Sequence, residues 1–314
     1  MVKIEKQEQP KIPWLWIIGG VIIFSIISFF VFIFAVILIA SDSEPTTGNV
    51  AVIPIKGVIM IDSEDSLFAT SVASSTDIVK LIEKAESDPS IEAIVFDINS
   101  PGGAPVASAE IARAIKETKK PTVAVIREVG ASGAYWAASA ADHIIANEVS
   151  ITGSIGVLAS YLEYGDLLAE YNVSYARFVS GAHKDMGSPY REMTSEEKEI
   201  YQQTLDKLHA VFIGSVAENR GIEYGYVEEL ATGQIYVGVE ALDLGLIDEL
   251  GGKQEAYTYI GTLLDITVEP VAFEEADSFF EMLASALDNS AFHVGTGIGA
   301  VLVEEDSGMR TSLT

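Results

Sequence analysis

The 314-residue chain has no cysteine and few basic residues, with 19 Lys and Arg against 46 Asp and Glu. Without cysteine it cannot form a disulfide scaffold, a zinc finger, an iron–sulfur centre or a cysteine protease site. The formal net charge of −27 has the wrong sign for a nucleic-acid-binding surface, which needs Lys and Arg against phosphate groups. Apolar residues make up 49% of the chain, which excludes a disordered protein and is sufficient for a hydrophobic core.

The N-terminal region contains a long uncharged segment, residues 12–41. A transmembrane helix needs about 20 apolar residues, whereas the apolar part of a cleaved signal peptide has only about 7–15, so a membrane anchor is favoured. Lysines precede the segment and acidic residues follow it. The positive-inside rule therefore predicts a cell-membrane protein with a cytoplasmic N-terminus, residues 1–11, and an extracytoplasmic remainder. Residues 42–49 are interpreted as a linker, 50–264 as the main domain, and 265–314 as a tail of unknown role.

Beyond the linker, short apolar runs alternate with amphipathic helical patterns, which is typical of an α/β fold with a largely parallel sheet. A capping box formed by Thr194 and Glu197 predicts a long helix over 195–220. The other predicted elements are strands over 50–61, 93–98 and 122–126, and helices over 76–86 and 105–118.

Two glycine-rich turns follow predicted strands. The turn at Gly102 and Gly103 either leaves backbone N–H groups free to hold an oxyanion at the carboxyl edge of the sheet, or is an ordinary strand-to-helix turn. Ser132 lies among small residues after the next strand and is either an exposed nucleophile or the N-cap of the following helix. Its surroundings do not match G-x-S-x-G, so the nucleophile elbow of the α/β-hydrolases is excluded.

A serine nucleophile needs a base, and none of the four histidines is an obvious partner. His143, His209 and His293 are interpreted as structural, whereas His183 lies beside Lys184 in a glycine-containing loop. Lys184 is either a solvated cation or, if burial lowers its pKa, a general base. The histidines are too far apart in sequence to form a metal site, so neither a metal nor a cofactor is expected.

Four segments in one order resemble the signal peptide peptidase A family of membrane-bound serine peptidases. The resemblance extends over residues 50–252 and implies a ClpP/crotonase-like fold. The segments are residues 99–103, 130–135, 152–156 and 183–191, with further similarity at 234–236 and 241–248.

The resemblance also implies the roles of individual residues. It makes Ser132 the nucleophile, Lys184 the general base and Ser154 a hydrogen-bond partner of the lysine amine. The chain has one copy of each motif, so the resemblance implies a homo-oligomer in which Ser132 of one protomer meets Lys184 of its neighbour. His183 leaves a Ser/His alternative open. The implied oxyanion hole consists of backbone N–H groups at Gly102, Gly103 and Gly133.

The function implied by this resemblance is hydrolysis of apolar peptides, such as signal peptides left after secretion. Two alternatives are a related membrane protease that trims a specific membrane protein, and a non-catalytic peptide-binding membrane scaffold. A crotonase-type acyl-CoA enzyme fits poorly, because an acidic domain has no evident basic patch for the CoA phosphates. The candidate substrate-binding residues, which are equally compatible with an ordinary core, are Tyr135, Trp136, Val157 and Leu158.

Overall fold

The computed structural model describes residues 14–41, 48–62 and 72–274. They fall into two units, one within Met1–Thr47 and one that begins at Gly48. The predicted cytoplasmic segment, most of the predicted linker and the tail from residue 275 lie outside the described residues.

The first unit contains helix α1, Trp14–Ser41, whose side chains are described over residues 18–32. Within the described part of the chain, no helix combines the length and the apolar character needed to cross a membrane. The transmembrane helix predicted over residues 12–41 is therefore not confirmed and stays a prediction.

The second unit alternates strands with helices. Its strands are β1 (Val50–Lys56), β2 (Val58–Met60), β3 (Val72–Ser74), β4 (Ala93–Ser100), β5 (Thr122–Ala131), β6 (His143–Ala146), β7 (Ile151–Gly153), β8 (Ile235–Val237), β9 (Glu249–Leu250) and β10 (Pro270–Ala272). Its helices are α2 (Ser75–Ser87), α3 (Pro105–Glu117), α4 (Gly133–Ser139), α5 (Gly165–Glu170), α6 (Ser195–Arg220), α7 (Tyr224–Leu230), α8 (Gly238–Asp243) and α9 (Lys253–Leu264).

The main sheet has the strand order β10-β1-β4-β5-β6-β9, and each neighbouring pair in this order is parallel. Strand β7 pairs parallel with the end of β5 and antiparallel with β8. Strands β2 and β3 form a separate parallel pair. The described residues thus have the α/β fold with a largely parallel sheet that the sequence pattern predicts.

The sheet is covered by helices on both faces. In β4, Ile94 and Phe96 lie in the larger core with residues of α2, α3, α4 and α6, whereas Val95 lies in the smaller core with residues of α9. Successive side chains of a strand point to opposite faces, and residues 93–96 of β4, which are buried on both sides, are all apolar. This burial fixes the carboxyl end of β4, where the first glycine-rich turn begins.

Two boundaries differ from the sequence prediction. The strand predicted over 50–61 divides at Gly57, whose φ of 84° turns the chain, and β2 leaves the main sheet there. Strand β10 pairs with β1 through Val50 and Pro270. The main sheet therefore continues past residue 264, where the sequence prediction ends the domain.

Candidate active site

The carboxyl ends of three strands bring the candidate site together. Strands β4, β5 and β7 are parallel, and each ends at the same edge of the sheet. Ser132 follows β5 directly and Ser154 follows β7. The Ser132 N–H donates to the Gly153 carbonyl at 2.8 Å, which ties the two serine-bearing turns to each other.

Ser132 has an unusual backbone conformation, with φ 54° and ψ −125°. Such a conformation costs a residue with a side chain about 1–3 kcal/mol and persists only where the surrounding structure imposes it. Ser132 occupies the N-cap position of α4, but its side chain makes no capping hydrogen bond. The interpretation of this serine as a helix cap is therefore wrong. Its side chain is half-buried, and its hydroxyl has no hydrogen-bond partner among the described residues.

The two glycine-rich turns approach so closely that side chains do not fit. A Cβ on Gly102, which has φ +94°, would lie 2.6 Å from the Gly133 nitrogen and 3.0 Å from the Ser132 Cβ. A Cβ on Gly133 would lie 2.1 Å from the Ser108 Oγ and 3.3 Å from the Gly103 nitrogen. The glycines therefore let the backbone of the first turn lie directly against Ser132.

Two backbone N–H groups beside Ser132, those of Gly103 and Gly133, do not take part in the hydrogen bonding of a helix or strand. Gly133 is the first residue of α4, and the first N–H groups of a helix have no acceptor within it. Gly103 bridges Ile59, but the bridging hydrogen bonds are Ile59 N–H to Gly102 O and Ala104 N–H to Ile59 O. The Gly103 N–H is outside this ladder. The N–H of Gly102, the third predicted oxyanion donor, instead donates to the Ser100 Oγ at 3.1 Å. An unpartnered hydroxyl next to two available N–H donors is an arrangement suited to acyl transfer.

A cavity of about 810 Å³ opens at Ser132 and Ser154. Of the candidate substrate-binding residues, Trp136, Val157 and Leu158 line it. Tyr135 does not, because it is fully buried and its hydroxyl donates to the Leu246 carbonyl at 2.9 Å. Burial also raises the pKa of the Tyr135 hydroxyl, which stays protonated. Glycines of both turns, Gly102, Gly103 and Gly133, complete one side of the wall.

His209 was expected to be structural, yet it lines the same cavity. Its Nε2 is buried without a hydrogen-bond partner among the described residues, as is the Nε1 of Trp136. The Trp136 ring stacks on Phe212, with centroids 4.6 Å apart. His209 and Phe212 are three residues apart on α6 and so share a face. This spacing, together with the apolar residues that follow on α6, is the signal that could have revealed His209.

The two candidate bases lie elsewhere in the chain. Lys184 and His183 are exposed in the segment between α5 and α6, and neither lines the cavity that contains Ser132. The His183 Nε2 lies 3.8 Å from the Glu196 Oε1. One copy of the chain therefore does not bring Ser132 and Lys184 together in this cavity.

Metal ligands are not clustered in the described part of the chain, where no three His, Asp or Glu side chains are placed to hold an ion. The polar groups that line the cavity include the hydroxyls of Ser132 and Ser154 and the His209 imidazole.

Comparisons with known proteins place these features in a family. The sequence profile of peptidase family S49 matches residues 114–267. A Methanocaldococcus jannaschii protein named as a candidate protease is 33% identical over 243 residues, covering 76% of this chain and 77% of that protein. An Enterococcus faecium protein named as a candidate signal peptide peptidase is 35% identical, covering 64% of this chain and 60% of that protein. A solved structure, a mutant of a membrane-bound stomatin-specific protease, is 18% identical with a TM-score of 0.46 and covers 73% of this chain and 99% of that chain.

Proposed function

The chain belongs to peptidase family S49, the family of signal peptide peptidase A, and on this premise we propose that it is a membrane-anchored serine endopeptidase of ClpP/crotonase-like fold. The proposal makes Ser132 the nucleophile and Lys184 the general base. The observation that carries it is the geometry at Ser132, where an unpartnered hydroxyl on a strained turn lies next to the N–H groups of Gly103 and Gly133.

The proposed reaction is acyl transfer followed by hydrolysis. Neutral Lys184 takes the proton of Ser132 as the serine oxygen attacks the scissile carbonyl, and the two N–H groups hold the oxyanion. The lysine ammonium then protonates the leaving amine, and water attacks the acyl-enzyme with the same base. Ser154 accepts a hydrogen bond from the lysine ammonium and orients it. A free lysine side chain titrates near pH 10.4, so activity that depends on a neutral lysine should rise from neutral to alkaline pH.

The site is completed by a second copy of the chain in this proposal. Two features support a homo-oligomer: the position of Lys184 outside the cavity of its own chain, and the apolar surface of the segment that carries it. Phe178 in that segment is 94% exposed, which is unusual for so large an apolar side chain. The other exposed apolar side chains between α5 and α6 include Tyr171 and Val173, and those in α5 or just before it include Leu158, Leu162 and Leu167.

The proposed substrates are apolar peptides, such as remnant signal peptides. The cavity wall supports this class because Trp136, Val157, Leu158 and Phe212 present apolar surface next to Ser132. The uncharged segment of residues 12–41 supports membrane anchoring, which would hold the enzyme close to peptides released from the bilayer.

The shared site can be tested by complementation. Ser132→Ala and Lys184→Ala should each abolish peptide hydrolysis without changing the unfolding temperature or the oligomer size. Chains of the two variants assembled together at random should regain up to about one quarter of the wild-type activity. Half of the serines in the mixed oligomer are intact, and half of these meet an intact lysine of the neighbouring chain. A mixture that stays inactive, while both variants co-assemble, would refute a site shared between protomers.

Two further measurements separate the alternatives. A serine-directed fluorophosphonate should modify Ser132, and no labelling of the intact oligomer would favour the non-catalytic scaffold. His183→Ala is the matched control for Lys184→Ala, since the two residues are neighbours with exposed side chains. Loss of activity in His183→Ala with retention in Lys184→Ala would move the general base to the histidine.

A further inference from the structure

The turn that carries Lys184 is weakly held by its own backbone. The Lys184 N–H donates to the Gly181 carbonyl at 3.3 Å, and the Met186 N–H to the His183 carbonyl at 3.1 Å. Gly181 has φ +100°, and nothing lies within 4 Å of the position of its missing Cβ. An exposed lysine on such a turn has many accessible positions, and a general base must be held in one of them.

Two arginines hold this turn through Asp185, the residue after Lys184. Arg177 donates to the two Asp185 carboxylate oxygens at 2.5 and 2.6 Å, and also to the Ala182 carbonyl at 3.1 Å. Arg191 donates to the same two carboxylate oxygens at 3.0 and 2.9 Å. The arginines thus fix the backbone on both sides of Lys184 and leave its side chain exposed. We call these two arginines and Asp185 the arginine clamp.

The clamp is anchored on the long helix α6. Arg191 also donates to both carboxylate oxygens of Glu197, at 2.6 and 2.8 Å. The Glu197 side chain is only 3% exposed and forms the capping box with Thr194 at the start of α6. Positive and negative side chains alternate from Arg177 through Asp185 and Arg191 to Glu197, so each charged group has a partner of opposite sign. The rigid end of α6 is therefore connected to the turn by bidentate hydrogen bonds.

The hydrogen bonds of the arginine clamp are more numerous and more directional than those of an ordinary surface ion pair. The chain has six arginines, and two of them meet at one aspartate. An exposed ion pair adds little to stability, but planar guanidinium groups that bind a carboxylate bidentately fix direction as well as distance. The arginines hold the pKa of the Asp185 carboxyl well below its usual range, so it stays ionised in the clamp.

We infer that Arg177 and Arg191 are positioning residues for the general base, and that the arginine clamp holds the Lys184 turn in the conformation that reaches the partner's serine. This inference rests on the proposed role of Lys184. The clamp does not contact Ser132 or the cavity wall in its own chain, so it acts only through the position of Lys184.

The test uses Arg191→Lys, which keeps the charge and removes the bidentate fork. We expect kcat to fall about 10–100-fold, since a displacement of about 1 Å can cost 100-fold, while KM changes little. The midpoint of the alkaline pH limb should not move, because the local charge is unchanged. The matched control is Lys198→Ala, which breaks an exposed ion pair with Glu192 at the same end of α6 and should leave kcat unchanged.

A double variant separates positioning from folding. In the Lys184→Ala background, Arg191→Lys should cause no further loss in the residual rate of fluorophosphonate labelling of Ser132. If Arg191→Lys lowered the labelling rate equally in the wild-type and Lys184→Ala backgrounds, or if it kept full activity, the inferred role of the arginine clamp would be wrong. The Ser132/Lys184 proposal would still stand. Full activity of Lys184→Ala would overturn both. If Arg191→Lys does not fold, Arg177→Lys carries the same test, because its partners are Ala182 and Asp185 alone.

Discussion

Gly133→Ala should lower the stability of the protein through one identifiable contact. The added Cβ would lie 2.1 Å from the Ser108 Oγ and 3.0 Å from the Ser108 Cβ, and both residues are buried. Overpacking of a buried site costs about 1–3 kcal/mol. Alanine is favoured over glycine in a helix by about 0.5–1 kcal/mol, which offsets part of this cost. We therefore expect the free energy of unfolding to fall by about 1–2 kcal/mol.

A second substitution, at Ser108, tests whether this contact causes the loss of stability. Ser108→Ala removes the Oγ, which donates to the Ala104 carbonyl at 3.0 Å, and should cost about 1 kcal/mol alone. In the double variant the 2.1 Å contact is absent, so the two effects should not add, and the coupling should be about 1–2 kcal/mol. Urea unfolding of the full-length chain measures all four proteins. Additive effects would refute the contact as the cause.

The matched control is the same substitution at an open position. Gly225 lies in α7, and nothing lies within 4 Å of the position of its missing Cβ. Gly225→Ala should therefore raise the free energy of unfolding by up to about 1 kcal/mol, through helix propensity alone. A destabilisation at Gly225 similar to that at Gly133 would mean that steric contact with Ser108 is not the deciding factor.

Two further predictions concern the stability of the protein at low pH and its activity after removal of metal ions. Hydrogen bonds from the arginines lower the pKa of Asp185 and bring that of Glu197 to about 2, so their contribution to stability is complete above about pH 4.5 and lost as pH falls toward 2. The free energy of unfolding, measured with urea between pH 4.5 and pH 2, should report this loss, and a value that stays constant over that range would contradict it. Peptidase activity should survive exhaustive EDTA treatment, and a loss that zinc restores would contradict a serine–lysine mechanism.

The elements best predicted from the sequence are those set by local chemistry. Helix α6 begins at Ser195 and ends at Arg220 as predicted, because Thr194 and Glu197 form the capping box and Gly221, with φ 63°, ends the helix. The two glycine-rich turns were recognisable for the same reason, since a close approach of two backbones requires glycine at the contact.

The features that could not be predicted from the sequence depend on contacts between residues that are far apart in the chain. The return of β10 to β1 is not visible in local periodicity, because it depends on which strand edge remains open after the rest of the sheet has formed. The position of His209 on the cavity wall depends on the packing of α6 against α4, shown by the stacking of Trp136 on Phe212. The burial of Tyr135 has the same origin, since its hydroxyl bonds to Leu246, 111 residues away.

The pairing of β1 with β10 has a consequence for the order of folding. The first strand of the second unit completes its hydrogen bonds only with residues more than 200 positions later, and Asn49 is bonded to Glu269 in the same way. Contacts of such large sequence separation slow folding, because the loop must close before they form. During synthesis, β1 keeps an unpaired edge until residues 270–272 leave the ribosome. Until then, this edge of the nascent chain is exposed to edge-to-edge association with other strands.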